Sequence, residues 1–359
     1  MNLLSNLNRS FQNKYNFPKD SGFQILNRGK IFKQIPKEPK ITVKIQTSVK
    51  SITIASSLQS MFTSMGIHSV LLGNETIRNE IRNNKEGNYD IYFFLYVNEI
   101  RLLPRKSVYF IYNLEQTLYF SDFPRMSKWY KTKEKQDFNE IAFNNCKTIF
   151  DYSTTNIENY PVGLRGKVEY LPFPLIDNIG FKHVDWREKS IDILFFGHEI
   201  ERRKNIINFL IQQGFKVEVF NHIGGDKLYE KIRRAKVVLN IHSEKNSILE
   251  IARLHDCFRR YYVPVVSEMP TERDRYLVEK YKDLVTFVPV VEDDLSNVDL
   301  LVKALNEKVN AEINYQQVNK TLLKLNEEIT KKYEVFKPLK YPYLFHKIVV
   351  GEKGLNDKI

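Results

Sequence analysis

With 359 residues, 42% of them hydrophobic and 13% aromatic, the chain is too long for one ordinary core and too apolar for wholesale disorder. No run of about 18 apolar residues predicts a membrane-crossing helix, and the opening MNLLSNLNRSFQNKYN lacks the apolar centre of a secretory signal. The net charge of +12 is uneven, with ten Lys or Arg against two acids in residues 1–50, which suits nucleic acid, an anionic membrane or a phosphate-bearing substrate, and equally a solvated basic arm.

Residues 1–40 are polar, basic and broken by Pro18, Pro36 and Pro39, and read as a basic N-terminal extension. Ile41 to Ile45 alternates as a strand, and Ser51 to Met65 sets Ile54, Leu58, Met61, Phe62 and Met65 at helical spacing, with Gly66 ending the helix. Further strands are predicted over 68–72, 89–97, 107–112, 148–153 and 168–172, with helix around 138–145. This alternation indicates an α/β domain with a mainly parallel sheet over 41–175. Residues 176–190 are polar and irregular and read as a linker.

The alternation then restarts over 191–300: strand 191–196, helix 204–213, strand 216–220, helix 227–234, the apolar run Val237 to Ile241, a helix-like segment from Ile248, and strands at 263–266 and 285–289. Leu300 to Lys332 is predicted to be helical with few breakers, and residues 301–359 are expected to be C-terminal helices packing back on the domains. Cys146 and Cys257 form no metal-ligand spacing and read as reduced core thiols of an intracellular, cytoplasmic protein.

In open parallel sheets ligands sit beyond the carboxyl ends of the strands. Gly197 directly follows a predicted strand, where a missing Cβ lets a ligand approach the backbone. Arg202, Arg203 and Lys204 come next, near a helix start where cations oppose the dipole, and read as an anion-binding group or as a solvated helix start. After the strand Val237–Ile241 come His242 and the turn carrying Asn246 and Ser247. Ser247 is expected to cap a helix with Glu250 in its first turn, where a carboxylate can pair with ribose hydroxyls; Glu250, Arg253 and Asp256 share one face, which equally reads as a surface salt-bridge ladder. Glu268 ends the next strand, and Glu115 follows a strand of the first domain. Glu115 reads as a general base or as a structural cap, and His242 as a hydrogen-bonding histidine or as a contact to substrate.

These residues in this order carry a resemblance: Phe195-Phe196-Gly197, Glu201-Arg202-Arg203, Val238-Leu239-Asn240-Ile241-His242, Ser247 with Leu249-Glu250, Arg253, and Pro264-Val265-Val266-Ser267-Glu268. Asn113-Leu114-Glu115-Gln116, Asp151-Tyr152-Ser153 with Asn156, and Tyr170-Leu171-Pro172 add to it in the first domain. Over about residues 41–290 the chain resembles nucleotide-sugar-dependent glycosyltransferases of the GT-B architecture, in the group with a short N-terminal domain found in bacteria and large DNA viruses.

The resemblance implies two Rossmann-like domains facing across a cleft, the donor on the second and the acceptor on the first. It implies a UDP-, GDP- or dTDP-sugar as donor substrate, a glycan or glycolipid acceptor, and neither a tightly bound cofactor nor a metal. Gly197, Arg202, Arg203, Asn246, Ser247, Glu250, Arg253 and Glu268 would surround the donor, with Glu115 and His242 catalytic. Many retaining members carry a glutamate eight positions before the ribose-binding one, and here that position is His242. The basic extension suits peripheral contact with an anionic membrane; no nucleic acid is expected, and a monomer or homodimer is the default. The rival readings are an inactive nucleotide-sugar-binding scaffold and, further off, a basic nucleic-acid-binding protein.

Overall fold

The computed structural model describes residues 41–49, 51–83, 90–95, 97–104, 107–114, 133–175, 184–245 and 247–340. The expectations for residues 1–40, Glu115, Asn246 and 341–359 lie outside the described residues.

The first half carries strands β1 (Val43–Thr47), β2 (Ser69–Gly73), β3 (Ile91–Phe94), β4 (Val108–Asn113), β5 (Ile149–Asp151) and β6 (Val168–Tyr170). Its helices are α1 (Ile52–Ser64), α2 (Asn74–Asn83), α3 (Val97–Ile100), α4 (Lys133–Asn145), α5 (Thr154–Asn159) and α6 (Val162–Arg165). The second half carries β7 (Ile191–Phe196), β8 (Val217–Phe220), β9 (Ala235–Asn240), β10 (Val265–Glu268) and β11 (Val285–Val288). With them come α7 (Glu201–Gln212), α8 (Gly225–Arg234), α9 (Ile251–Arg259), α10 (Arg275–Tyr281), α11 (Val298–Val309) and α12 (Tyr315–Tyr333).

Every strand pairing is parallel, in the orders β2-β1-β3-β4-β5-β6 and β11-β10-β9-β7-β8. These are two Rossmann-like α/β sheets. Unbroken apolar runs such as Ile91–Phe94 are buried along their whole length, as strands covered by helices on both faces must be. Helix α1 buries Ile54, Leu58 and Phe62, one per turn, and the chain leaves it through Gly66 at φ +76°, a conformation open to glycine.

In the second sheet the strand order reverses between β7 and β9, which places the crevice for a ligand beyond the ends of those two strands. The loops after strand ends of the two sheets also meet each other. Thr155 in α5, just beyond β5, donates to Asp274 beyond β10 at 2.6 Å. A Cβ on Gly224, beyond β8, would collide with the Val49 carbonyl beyond β1. The Arg259 guanidinium donates to the carbonyls of Thr53, Pro174 at 3.2 Å and Leu175 at 3.4 Å, all in the first half.

The helical stretch expected over Leu300–Lys332 forms two helices, separated at residues 310–314. Asn314 caps α12 by accepting from the Gln317 amide at 3.1 Å. The break lets each helix serve a different core: α11 packs Leu301 and Leu305 with the second sheet's Ile193 and Leu239, whereas α12 packs Leu322 and Ile329 in a core shared with the first half. Beyond α12, Phe336 makes edge contacts with Phe62, Phe93, Phe110 and Phe150 of the first half. Both cysteines are buried and unpaired. Among the described residues no helix is long and apolar enough to cross a membrane.

Candidate functional site

Three arginines, two glutamates and a histidine gather beyond β7, β9 and β10. Arg202 and Arg203 occupy the first turn of α7. The anions they meet are internal. Arg202 makes a two-pronged pair with Glu268, through Nη2 to Oε1 and through Nη1 to Oε2 at 3.1 Å, and also donates to the carbonyls of His242 at 2.9 Å and Val291 at 2.7 Å. Arg203 donates from Nη2 to Glu250 at 2.8 Å, from Nε to the Ile241 carbonyl at 3.0 Å and from Nη1 to the His198 carbonyl at 2.9 Å. A guanidinium suits this work because its planar fork serves several acceptors at fixed angles.

Glu268 is fully buried and its acceptor capacity is filled: besides Arg202 it takes the backbone amides of His242 and Val291, each at 2.8 Å. It therefore locks the ends of β9 and β10 to α7. Glu250 pairs with both Arg203 and Arg253, yet its side chain is still 18% exposed, so one carboxylate of the cluster keeps an open side. Burial pushes the Glu250 carboxyl up, but Arg253 and Arg203 beside it outweigh that and hold it below the usual carboxylate range.

His242 is buried, and burial drives its pKa down against the opposing pull of Glu250 and Glu268, so the imidazole is neutral at neutral pH. Its Nε2 lies 3.1 Å from the Met269 carbonyl, an acceptor, which puts the ring proton on Nε2 and leaves Nδ1 as an acceptor. That Nδ1 has no hydrogen-bond partner, and neither does the Nε of Arg202, although Asp293 Oδ1 pairs with it at the longer distance of 3.9 Å. The cluster thus holds one unmatched acceptor and one unmatched donor. Its three guanidinium groups are met by the carboxylates of Glu250, Glu268 and the more exposed Asp293.

Two sequence expectations are corrected here. The close approach to Gly197 is taken by the protein itself: at φ +141° a Cβ would stand 2.7 Å from Arg253 Nη2. Arg253 lies over Phe195 and Phe196, donates to Asn240 and pairs with Glu250, so the glycine makes room for a buried arginine. Ser247 does not cap a helix. Helix α9 begins at Ile251 with Glu250 in the cap position, because Ile248 and Leu249 are drawn into the core and the Leu249 amide is given to Asp274 at 3.2 Å. The Ser247 hydroxyl instead closes its own turn by donating to the Glu244 carbonyl at 2.7 Å.

Sequence reasoning missed Asn240, Asp274 and Arg259. Asn240 carried a signal, a polar residue inside the apolar run Val237–Ile241; Asp274 and Arg259 carried none that separates them from surface charges. In the first half, Asp151, Ser153 and Asn156 form a closed network. Asp151 accepts from Asn113 at 2.8 Å, the Ser153 amide at 3.0 Å, Asn156 at 3.1 Å and Tyr160 at 3.0 Å. Burial nevertheless pushes its carboxyl up to about 7, with those hydrogen bonds opposing. Among the described residues no group of three His, Cys, Asp or Glu side chains is placed to hold a metal ion.

No protein-family model matches the chain, and no curated protein matches it by sequence. Solved structures do. AviGT4, a glycosyltransferase involved in avilamycin A biosynthesis, superposes with a TM-score of 0.51 at 12% identity, covering 83% of this chain and 98% of that one. The fold is GT-B. Two looser likenesses to this GT-B chain are Anabaena Alr3699/HepE in complex with UDP and glucose and the lipopolysaccharide outer core galactosyltransferase WaaB. HepE has a TM-score of 0.49 at 8% identity, covering 89% and 100% of the two chains. WaaB has a TM-score of 0.42 at 9% identity, covering 84% and 99%. At 12% identity, what this chain shares with AviGT4 is the fold alone.

Proposed function

We propose that the protein is a glycosyltransferase that moves a sugar from a nucleoside diphosphate donor to a hydroxyl on a glycan or glycolipid. The observation that carries this reading is the arginine-rich cluster at the β7–β9 strand reversal, with one buried donor and one buried acceptor lacking hydrogen bonds inside a GT-B fold. A buried polar group without a partner is costly, and a ligand bearing both phosphate oxygens and hydroxyl groups would match both. The likeness in fold to the glycosyltransferase AviGT4 supports the same reading.

In this reading the guanidinium groups offset the negative charge that builds on the diphosphate as the glycosidic bond breaks. The Nε of Arg202 donates to a phosphate oxygen while its fork stays on Glu268, which makes Glu268 a positioning residue. His242, held neutral, accepts a hydrogen bond from a hydroxyl of the transferred sugar. Glu250, the carboxylate with an open side, takes the ribose hydroxyls. Gly197, Arg203, Arg253 and Ser247 hold this constellation in place. Glu115 as general base and Asn246 as a donor contact complete the proposal, as does a basic segment 1–40 available to an anionic membrane surface that carries the acceptor. Closure of the two halves would align donor and acceptor.

Titration calorimetry of the full chain with UDP, GDP, dTDP and their sugars tests this. One nucleotide series is expected to bind, and Glu250→Gln, which keeps an oxygen for Arg203, should weaken it by about ten- to a hundredfold. Absence of binding by every nucleotide sugar, or unchanged affinity in Glu250→Gln, would overturn the assignment.

A further inference from the structure

A second concavity lies away from that cluster. Tyr170 and Pro172, at the end of β6, form one wall; Lys280 on α10 and Glu328, Lys331 and Lys332 on α12 form the rest, around a volume of about 340 Å³. That is within the range of small-molecule sites. Its walls come from the first half, the second half and the helix that joins them.

None of the three lysines has a hydrogen bond or ion pair with the described residues, although many other surface cations of the chain are paired, as Arg233 is with Glu188 and Glu230. Lys280 is half-buried. Burial lowers its pKa, Glu328 opposes that, and Lys332 lowers it further. Like charges brought together at a partly desolvated place cost free energy unless an anion joins them. The bland alternative, three solvated lysines on a helix face, accounts for Lys331 and Lys332, which are exposed, but not for Lys280, which turns into the concavity from a different element.

We propose that this pocket binds a phosphomonoester, with Lys280, Lys331 and Lys332 around the phosphate and the Tyr170 ring and Pro172 against the remainder of the molecule. The charges match. Three ammonium groups against the Glu328 carboxylate leave two positive charges, and a phosphomonoester carries nearly two negative ones at neutral pH. Lysine binds phosphate as a point charge that needs no fixed plane, which suits a group approached from two helices. Because the occupant touches both halves, it would bias the chain toward the arrangement in which they are packed together.

The test is titration calorimetry of the full chain with inorganic phosphate, with glucose 6-phosphate and with glucose, at constant ionic strength. Inorganic phosphate, the sugar phosphate or both are expected to bind, the tighter of the two identifying whether the walls add affinity, and glucose is not. Lys280→Gln and Lys332→Gln should each weaken that binding about tenfold. Glu328→Gln, which removes the opposing charge, should bind at least as tightly as wild type. Lys332 is exposed, so its variant reports on binding without disturbing the fold. Binding that survives both lysine variants unchanged belongs to another site and overturns the proposal, as does no binding by either phosphate or weaker binding by Glu328→Gln.

Discussion

Arg203 and Glu250 stand 47 positions apart in the chain and 2.8 Å apart in space. Either residue alone looks like an ordinary helix-start charge. Their meaning comes from the partner: a buried charge is tolerated only when another charge and further hydrogen bonds meet it. Glu169 on β6 is the contrasting case. Burial alone pushes its carboxyl up to about 7, with no cation to oppose it. In the unfolded chain this group titrates near 4.5. Between those values the folded form keeps a proton that the unfolded form releases. Wild type therefore loses this contribution as pH rises through the window, and Glu169→Gln does not. Urea unfolding of both proteins at pH 5 and pH 8 should show the variant gaining about 1–3 kcal/mol relative to wild type at the higher pH. A difference that stays constant with pH would refute the assignment of a raised pKa to Glu169.

Two serines of similar sequence setting end differently as elements. Ser153 caps α5, accepting from the Asn156 amide at 3.2 Å, because its own backbone is extended and the next residues are free to turn. Ser247 precedes Ile248 and Leu249, which the core claims, and the helix starts four residues later. Local capping preference yields to burial of two large apolar side chains, which is worth several times more. Ser153→Ala is expected to lower the unfolding free energy by about 1 kcal/mol or more, since the cap is fully buried. Chemical denaturation measures this directly, and an unchanged midpoint would mean that the cap adds nothing to α5. The split of Leu300–Lys332 has the same origin: the period of apolar residues runs on, but the two stretches answer to different cores.

At the scale of the whole molecule, one side chain bridges the halves at three points. Arg259 in the second half serves three carbonyls of the first, two of them in the segment after β6. Arg259→Met keeps the apolar bulk but leaves those buried carbonyls without a donor, and should cost about 3–5 kcal/mol. Thermal unfolding followed by calorimetry checks it; a loss below about 1 kcal/mol would show that the halves are held by their apolar contacts instead. Tyr333, donating to the Pro172 carbonyl at 2.7 Å, and Phe336 in the aromatic core of the first half place the C-terminal helix across that same seam.

The alternation of strand and helix determined two α/β units from the sequence alone, because period and length of apolar runs are local properties of the chain. The glycine after β7, the arginine pair on α7, the acid after β9 and the acid that ends β10 were legible as chemistry for the same reason: each lies at or beyond a strand end. Only the tertiary structure decided which of these charges face one another, that Gly197 makes room for Arg253, and that Asp274 and Arg259 join the halves. Pairings across tens to hundreds of residues depend on strand order and on which apolar side chains win the core, and neither is written in any single stretch of sequence.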